Sequence, residues 1–254
     1  MALVRVQATT ESPYALPDVD TIVVGIFEGE RAAHDFGSGT LQSLLDRGEA
    51  KPALGHLAVA HADSRRVILV GLGDRERFDA ERARGAAGIA HGRARELGAK
   101  CLCWELPHHV DETVAAGIVE GTLLHARRFD RYKDRSGEPD DAADRGPELE
   151  RLLISAHHDV SEAVRTATII CMAQNRARDL GDTPANDLPP QALASYAQKL
   201  AQRLDGLTVT VIDEDQIREA GMGAFAAVAQ GSVQGARLIR LDYEGAPADT
   251  PRLA

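Results

Sequence analysis

The 254-residue sequence has no apolar run approaching the roughly 20 residues that a membrane-spanning helix needs, so no bilayer span is expected. Met1 to Thr10 lacks the apolar block of a secretory signal and sets Arg5 inside a Val-Arg-Val alternation, so a cytoplasmic location is expected. Cysteine is scarce. Cys101 and Cys103 sit two apart in a strand-like run, far from any second pair that could complete a zinc site. They read as reduced, buried core residues. The sequence also contains no His-Glu-x-x-His, no Gly-x-Ser-x-Gly and no Walker loop, which removes three common hydrolase and nucleotide signatures. No internal repeat or low-complexity tract occurs.

What is present is ordinary for a globular chain: 44% hydrophobic and 27% charged residues, enough for one and a half or two domains. The formal net charge of −10 repels phosphate backbones at long range, so nucleic-acid binding is not expected. The basic stretch Arg127 to Lys133 is followed at once by acidic residues and reads as a solvated helix end.

Strands and helices alternate along the sequence, which predicts an α/β layer structure. Thr21 to Phe27 is short, β-branched and bounded by acids, a buried strand. Gly55–Ala60, Arg66–Val70, Lys100–Glu105 and Leu152–Ile154 are further strands, with a sharp turn expected at Gly71-Leu72-Gly73. Ala83, Ala86, Ala87, Ala90, Ala94 and Leu97 recur at helical spacing behind a capping Asp79. A second helix is expected over Asp111–Phe129. The charged, Gly- and Pro-containing stretch after Tyr132 reads as a surface loop. Asp159 and Glu162 form a capping-box-like start to a long helix reaching about Leu180. A loop, 181–190, then leads to a helix carrying Leu193, Tyr196, Leu200 and Leu204 and to a strand over Leu207–Ile212.

Three constellations could carry chemistry, and each has a plainer reading. Gly71-Leu72-Gly73 after a strand suggests a dinucleotide fingerprint, but Glu76 stands where the third glycine belongs and would repel a pyrophosphate. His108-His109 and His157-His158 are adjacent pairs without a clear third ligand, and read as loop or cap histidines. Asp213-Glu214-Asp215 opens a helix, where negative charge complements the dipole. The inventory yields no catalytic, cofactor-binding or metal-binding residue within the chain.

The stretch 175–190, Asn-Arg-Ala-Arg-Asp-Leu-Gly-Asp-Thr-Pro-Ala-Asn-Asp-Leu-Pro-Pro, closely resembles the signature that opens the catalytic domain of M17 leucyl aminopeptidases. Val70–Gly73, Arg128–Lys133, Gly221–Ser232 and Leu238–Gly245 resemble further family segments in the family's order. Arg178, Asp179, Pro184, Pro189 and Pro190 suit a helix end and a stiff loop, so structural roles are expected of them.

The resemblance implies a macro-like N-terminal α/β domain over 1–156, a bridging helix over 157–180, and the incomplete start of a catalytic α/β domain over 181–254. It also implies a parent that uses two divalent metal ions, Mn or Zn, to release N-terminal residues such as leucine from peptide substrates, and that assembles as a hexamer. The family's metal-binding motif Gly-Lys-Gly-x-Thr-Phe-Asp-x-Gly-Gly would begin beyond Ala254, so no metal is expected in this chain and it is expected to be inactive alone. The alternative is a free-standing macro-like module for assembly or for a nucleotide-like ligand such as ADP-ribose.

Overall fold

A computed structural model describes residues 4–32, 35, 39–62, 65–133 and 148–245. They separate into two compact units, Met1–Ala177 and Arg178–Ala254.

The first unit is built on six strands: β1 (Arg5–Thr9), β2 (Thr21–Phe27), β3 (Leu57–Ala62), β4 (Arg65–Gly73), β5 (Cys101–Glu105) and β6 (Arg151–Ser155). They form one mixed sheet in the order β1-β6-β5-β2-β4-β3, parallel throughout except for the β3–β4 pair. β2 lies at its centre and is apolar after Thr21, as a strand covered on both faces must be. Its side chains alternate. Val23 and Phe27 join one core layer with Ile68, Leu102, Trp104, Leu152 and Ile154, while Ile22, Val24 and Ile26 join Val67, Leu69 and Cys103 on the other face.

Helices α1 (Thr40–Asp46), α2 (Ala80–Glu96), α3 (Glu112–Ala126) and α4 (Ser161–Asp182) complete the unit, and the division between the two units falls inside α4. In α1 Leu41, Leu44 and Leu45 follow helical spacing, but over seven residues the stripe is too short to stand out in the sequence. Asp35 anchors it from outside, accepting from Leu41 N at 2.6 Å and Gln42 N at 2.8 Å. As expected, Asp79 caps α2, accepting from Arg82 N at 2.9 Å. The first core layer receives α2 through alanines only, Ala83 to Ala94, and small side chains bring α3 unusually close. A Cβ at Gly117 would fall inside 3.0 Å of Ala80 O, and one at Gly121 inside 3.0 Å of Arg84 O.

Four local expectations need correction. The turn placed at Gly71-Leu72-Gly73 comes later, because β4 runs through all three residues and bends at Gly73, with φ +73°. Gly71 is required for a different reason: its missing side chain lets the 51–53 backbone lie against the strand. Helix α3 stops at Ala126 rather than Phe129, with Arg127 extended and its guanidinium 5.4 Å from the Phe129 ring. At the start of α4 Asp159 accepts from Ser161 N at 2.9 Å, but Glu162 pairs with Arg165 instead of reaching back to the cap. The helix over 190–201 ends before Leu204, which is exposed. The loop expected after Tyr132 falls largely outside the described residues.

The second unit holds α5 (Pro190–Ala201), β7 (Leu207–Asp213), α6 (Glu214–Glu219), α7 (Gly223–Ala229) and β8 (Arg237–Tyr243). β7 and β8 pair antiparallel as a two-stranded sheet. Its buried apolar residues among those described are few and mostly small: Ala194, Ala197, Ile217 and Ala236. Val228 and Val233 are 89% and 100% exposed, and Phe225, Leu241 and Tyr243 are exposed as well.

Candidate functional site

The topology of the first unit marks one place for a ligand. From β2 the chain moves to β3 and β4 on one side, whereas β4 connects through α2 to β5 on the other side of β2, and then to β6. The connections therefore diverge between β2 and β5, and crevices at the carboxyl ends of strands at such switch points are where open α/β sheets bind ligands. A cavity of about 340 Å³ lies there. Its lining comes from the end of β2, Glu30 and Arg31 beyond it, Arg75 after β4, and Glu105 to His109 at and after the end of β5.

Arg75 ties the three loops together. Its guanidinium makes a two-pronged pair with Glu30, donates from Nη1 to His108 O at 2.8 Å, and lies 4.0 Å from the centre of the Phe27 ring. Hydrogen bonding by Arg75 holds the Glu30 carboxyl below its usual range. Glu105 is the buried carboxyl of the lining, at 8% exposure, while Arg31 and His109 are exposed. His109 has φ +55°, a left-handed conformation that side chains other than glycine rarely adopt.

One member of each histidine pair is linked to one member of the other across the strands, while His108 and His109 are 6.2 Å apart between ring centroids. His108, after β5, stacks on His157, after β6, with ring centroids 4.1 Å apart. Sequence adjacency hides this contact, because it depends on β5 and β6 being parallel neighbours. A further pair, His91 and His125, joins α2 to α3 at 34 residues' separation, and no local motif marks it in the sequence.

The signature segment is largely exposed, and the described contacts of its first residue are structural. Asn175 is buried and donates from Nδ2 to Leu123 O at 3.2 Å. Thr183 Oγ1 donates to Asp179 O at 2.6 Å, and Pro184 O accepts from Asp187 N and Leu188 N in a tight turn before α5.

The candidate metal ligands do not converge among the described residues. No group of three or more His, Cys, Asp or Glu side chains there could hold an ion. Asp213 is occupied as the cap of α6 in a reciprocal box with Gln216, both bonds at 3.0 Å. The cysteines are buried, and burial pushes the Cys103 thiol up to about 12 and Cys171 to about 11. Neither is poised as a nucleophile or ligand.

Comparison with known proteins places this geometry in a lineage. The model of the cytosol aminopeptidase family N-terminal domain matches residues 23–136, and the model of the same family's catalytic domain matches residues 175–254. The chain belongs to the cytosol aminopeptidase family. It is 36% identical to a probable cytosol aminopeptidase of Roseiflexus castenholzii, over 98% of this chain and 51% of that protein. To the cytosol aminopeptidase of Pseudomonas aeruginosa it is 32% identical, over 90% of this chain and 49% of that protein. The chain thus spans about half the length of these family members.

Solved structures agree on the fold. A tomato leucine aminopeptidase variant aligns with a TM-score of 0.78 at 20% identity, covering 97% of this chain and 52% of that one. The bottromycin maturation enzyme BotP, in a complex with Mn, aligns with a TM-score of 0.72 at 25% identity, covering 89% of this chain and 45% of that one. No helix among the described residues is long and apolar enough to cross a membrane.

Proposed function

We propose that this chain is the front part of a cytoplasmic metalloaminopeptidase, with residues 1–156 as its N-terminal domain, 157–180 as a bridging helix and 181–254 as the start of its catalytic domain. The whole enzyme would remove N-terminal residues such as leucine from peptides and would assemble as a homohexamer. The observation that carries this reading is the succession of the two family matches, N-terminal domain and then catalytic domain, on a chain about half as long as its relatives.

In such an enzyme two divalent metal ions, manganese or zinc, activate water and polarise the scissile carbonyl. The side chains described here do not fit that centre, since no three metal-ligating groups converge. We therefore propose that the 254-residue chain does not turn over peptide by itself.

The test is hydrolysis of leucine p-nitroanilide by the purified chain with added Mn²⁺ or Zn²⁺, beside a fusion carrying the remaining half of the Roseiflexus relative. Turnover by the fusion and none by the short chain supports the reading. Metal-dependent turnover by the short chain overturns it.

A further inference from the structure

We infer that the open edge of β1 is a self-association surface, on which β1 of a second copy of this chain adds as an antiparallel strand. β1 ends the sheet among the described residues. Arg5 N donates to Glu150 O at 3.0 Å and Thr9 O accepts from Ala156 N at 2.9 Å, so residues 5, 7 and 9 bond to β6. Alternation then points the N–H and C=O groups of Val6 and Ala8 away from the sheet, where another strand can take them.

The surroundings of that edge suit a strand. A groove of about 590 Å³ follows it and is lined from both faces of the sheet, by Leu16 and Leu153 on one side and by Val164 and Ile169 of α4 on the other. Ile169 is exposed there. β1 holds register with β6 through all five of its residues, without a bulge or a proline to turn an incoming strand away.

Charge selects a second copy as the occupant. Arg5 and Glu11 are exposed, and neither side chain has a hydrogen-bond or ion-pair partner among the described residues. Glu11 N donates to Thr9 Oγ1 at 3.1 Å, which fixes Glu11 just past the end of the strand. When two β1 strands pair antiparallel about Gln7, Val6 of each copy lies opposite Ala8 of the other and exchanges both backbone hydrogen bonds with it. Arg5 then lies opposite Thr9 of the second copy and diagonal to its Glu11, within the roughly 7–8 Å that long side chains span between strands. The twofold axis repeats that ion pair at the other end. A parallel, in-register pairing would instead set the two Arg5 side chains against each other. Continuing the sheet across the axis also keeps α4 of both copies on one face, which brings the exposed Ile169 of each to the same side of the interface.

The experiment is sedimentation equilibrium of the 254-residue chain and its variants at concentrations up to about 1 mM. The unaltered chain should form a dimer. Ala8→Pro removes an N–H that points outward, a position where an edge strand accepts proline, so this variant should be monomeric with unchanged circular dichroism. Arg5→Glu and Glu11→Arg should each weaken dimerisation roughly tenfold, since each turns both ion pairs into like-charge contacts. Arg5→Glu combined with Glu11→Arg should restore it to within about threefold of the unaltered chain. Within one chain the two positions are roughly 20 Å apart along an extended strand, so only a contact between copies explains such a restoration. An unaltered chain that stays monomeric, an Ala8→Pro variant that folds and still associates as strongly, or a double variant no stronger than the single ones would each overturn the proposal. The charge exchange decides the matter if Ala8→Pro does not fold. Mass is read without peptide hydrolysis, so failure here leaves the proposed peptidase parentage untouched, and failure of that parentage leaves this pairing untouched.

Discussion

The Nδ1 atoms of His91 on α2 and His125 on α3 lie 2.8 Å apart, with the rings edge to face at 5.1 Å between centroids. One nitrogen must carry the proton and the other must accept it. His91 is 3% exposed, and burial, then the charges of His125, Arg95 and Arg128, pull its pKa down to about 4. His125 is lowered too, by burial and Arg95. The folded chain therefore keeps His91 neutral at a pH where the unfolded chain, with an ordinary histidine near 6.5, takes up a proton.

The sign of the pH effect follows from that difference. The contribution, about 3 kcal/mol, is complete above about pH 6.5 and is lost as pH falls toward 4. Urea denaturation at pH 7.5 and pH 4.5 should show the chain losing more stability on acidification than a His91→Leu variant. Equal losses in the two proteins would mean that His91 is not the titrating group.

Helix packing supplies a second prediction. Alanine is about 1 kcal/mol better than glycine inside a helix, so propensity alone favours Gly→Ala anywhere in α2 or α3. At Gly85, where nothing lies within 4 Å of the added Cβ, that gain should appear, as a stabilisation of up to about 1 kcal/mol. At Gly121 the Cβ meets Arg84 O, a backbone atom that cannot rotate away, and overpacking of this kind costs about 1–3 kcal/mol. Gly121→Ala should therefore destabilise the first unit in urea while Gly85→Ala stabilises it. The same sign for both would refute close contact between the helices.

These helices show what the sequence made legible and what it did not. The alanine stripe of α2 and the apolar run of β2 are local patterns, and they placed a helix and a central strand correctly because each residue's role depends on neighbours within one turn or one pleat. Helix α1 carries only one short stripe, Leu41, Leu44 and Leu45, and its first turn is capped from several residues upstream by the Asp35 carboxylate, a contact that no local pattern announces. The crevice was invisible for a related reason. Glu30, Arg75 and His108 follow three different strands, and only the order of those strands in the sheet makes them neighbours. The family signature was readable as a string, but its string gave no hint that Asn175 reaches back to α3.

That contact is itself testable. The last four carbonyls of a helix have no partner within it, and Leu123 O is one of these in α3. Asn175 Nδ2 satisfies it from α4, in a position only 8% exposed. Asn175→Ala removes the donor and strands a shielded acceptor, which should cost about 1–3 kcal/mol in urea denaturation. Asn175→Asp should cost at least as much, because a carboxylate oxygen would face the carbonyl. A change below about 0.5 kcal/mol in both variants, the range of ordinary surface substitutions, would show that the bond contributes nothing.

The second unit should be the weaker of the two. An isolated pair of strands is marginally stable in water, and β7–β8 has only α5, α6 and α7 to cover it among the described residues. The larger apolar side chains Phe225, Val228, Leu241 and Tyr243 remain exposed, so little apolar area opposes local unfolding. In the first unit, Phe27 and Trp104 are each about 1% exposed in central strands. Chymotrypsin should therefore cut after Phe225, Leu241 and Tyr243 well before it cuts in β2 or β5, and mass spectrometry should find a persistent fragment ending within or shortly after α4. Equal resistance of the two units would mean that the second is stabilised by contacts beyond its own strands and helices, such as association between copies of the chain; a sedimentation measurement at the same concentration would detect that association directly.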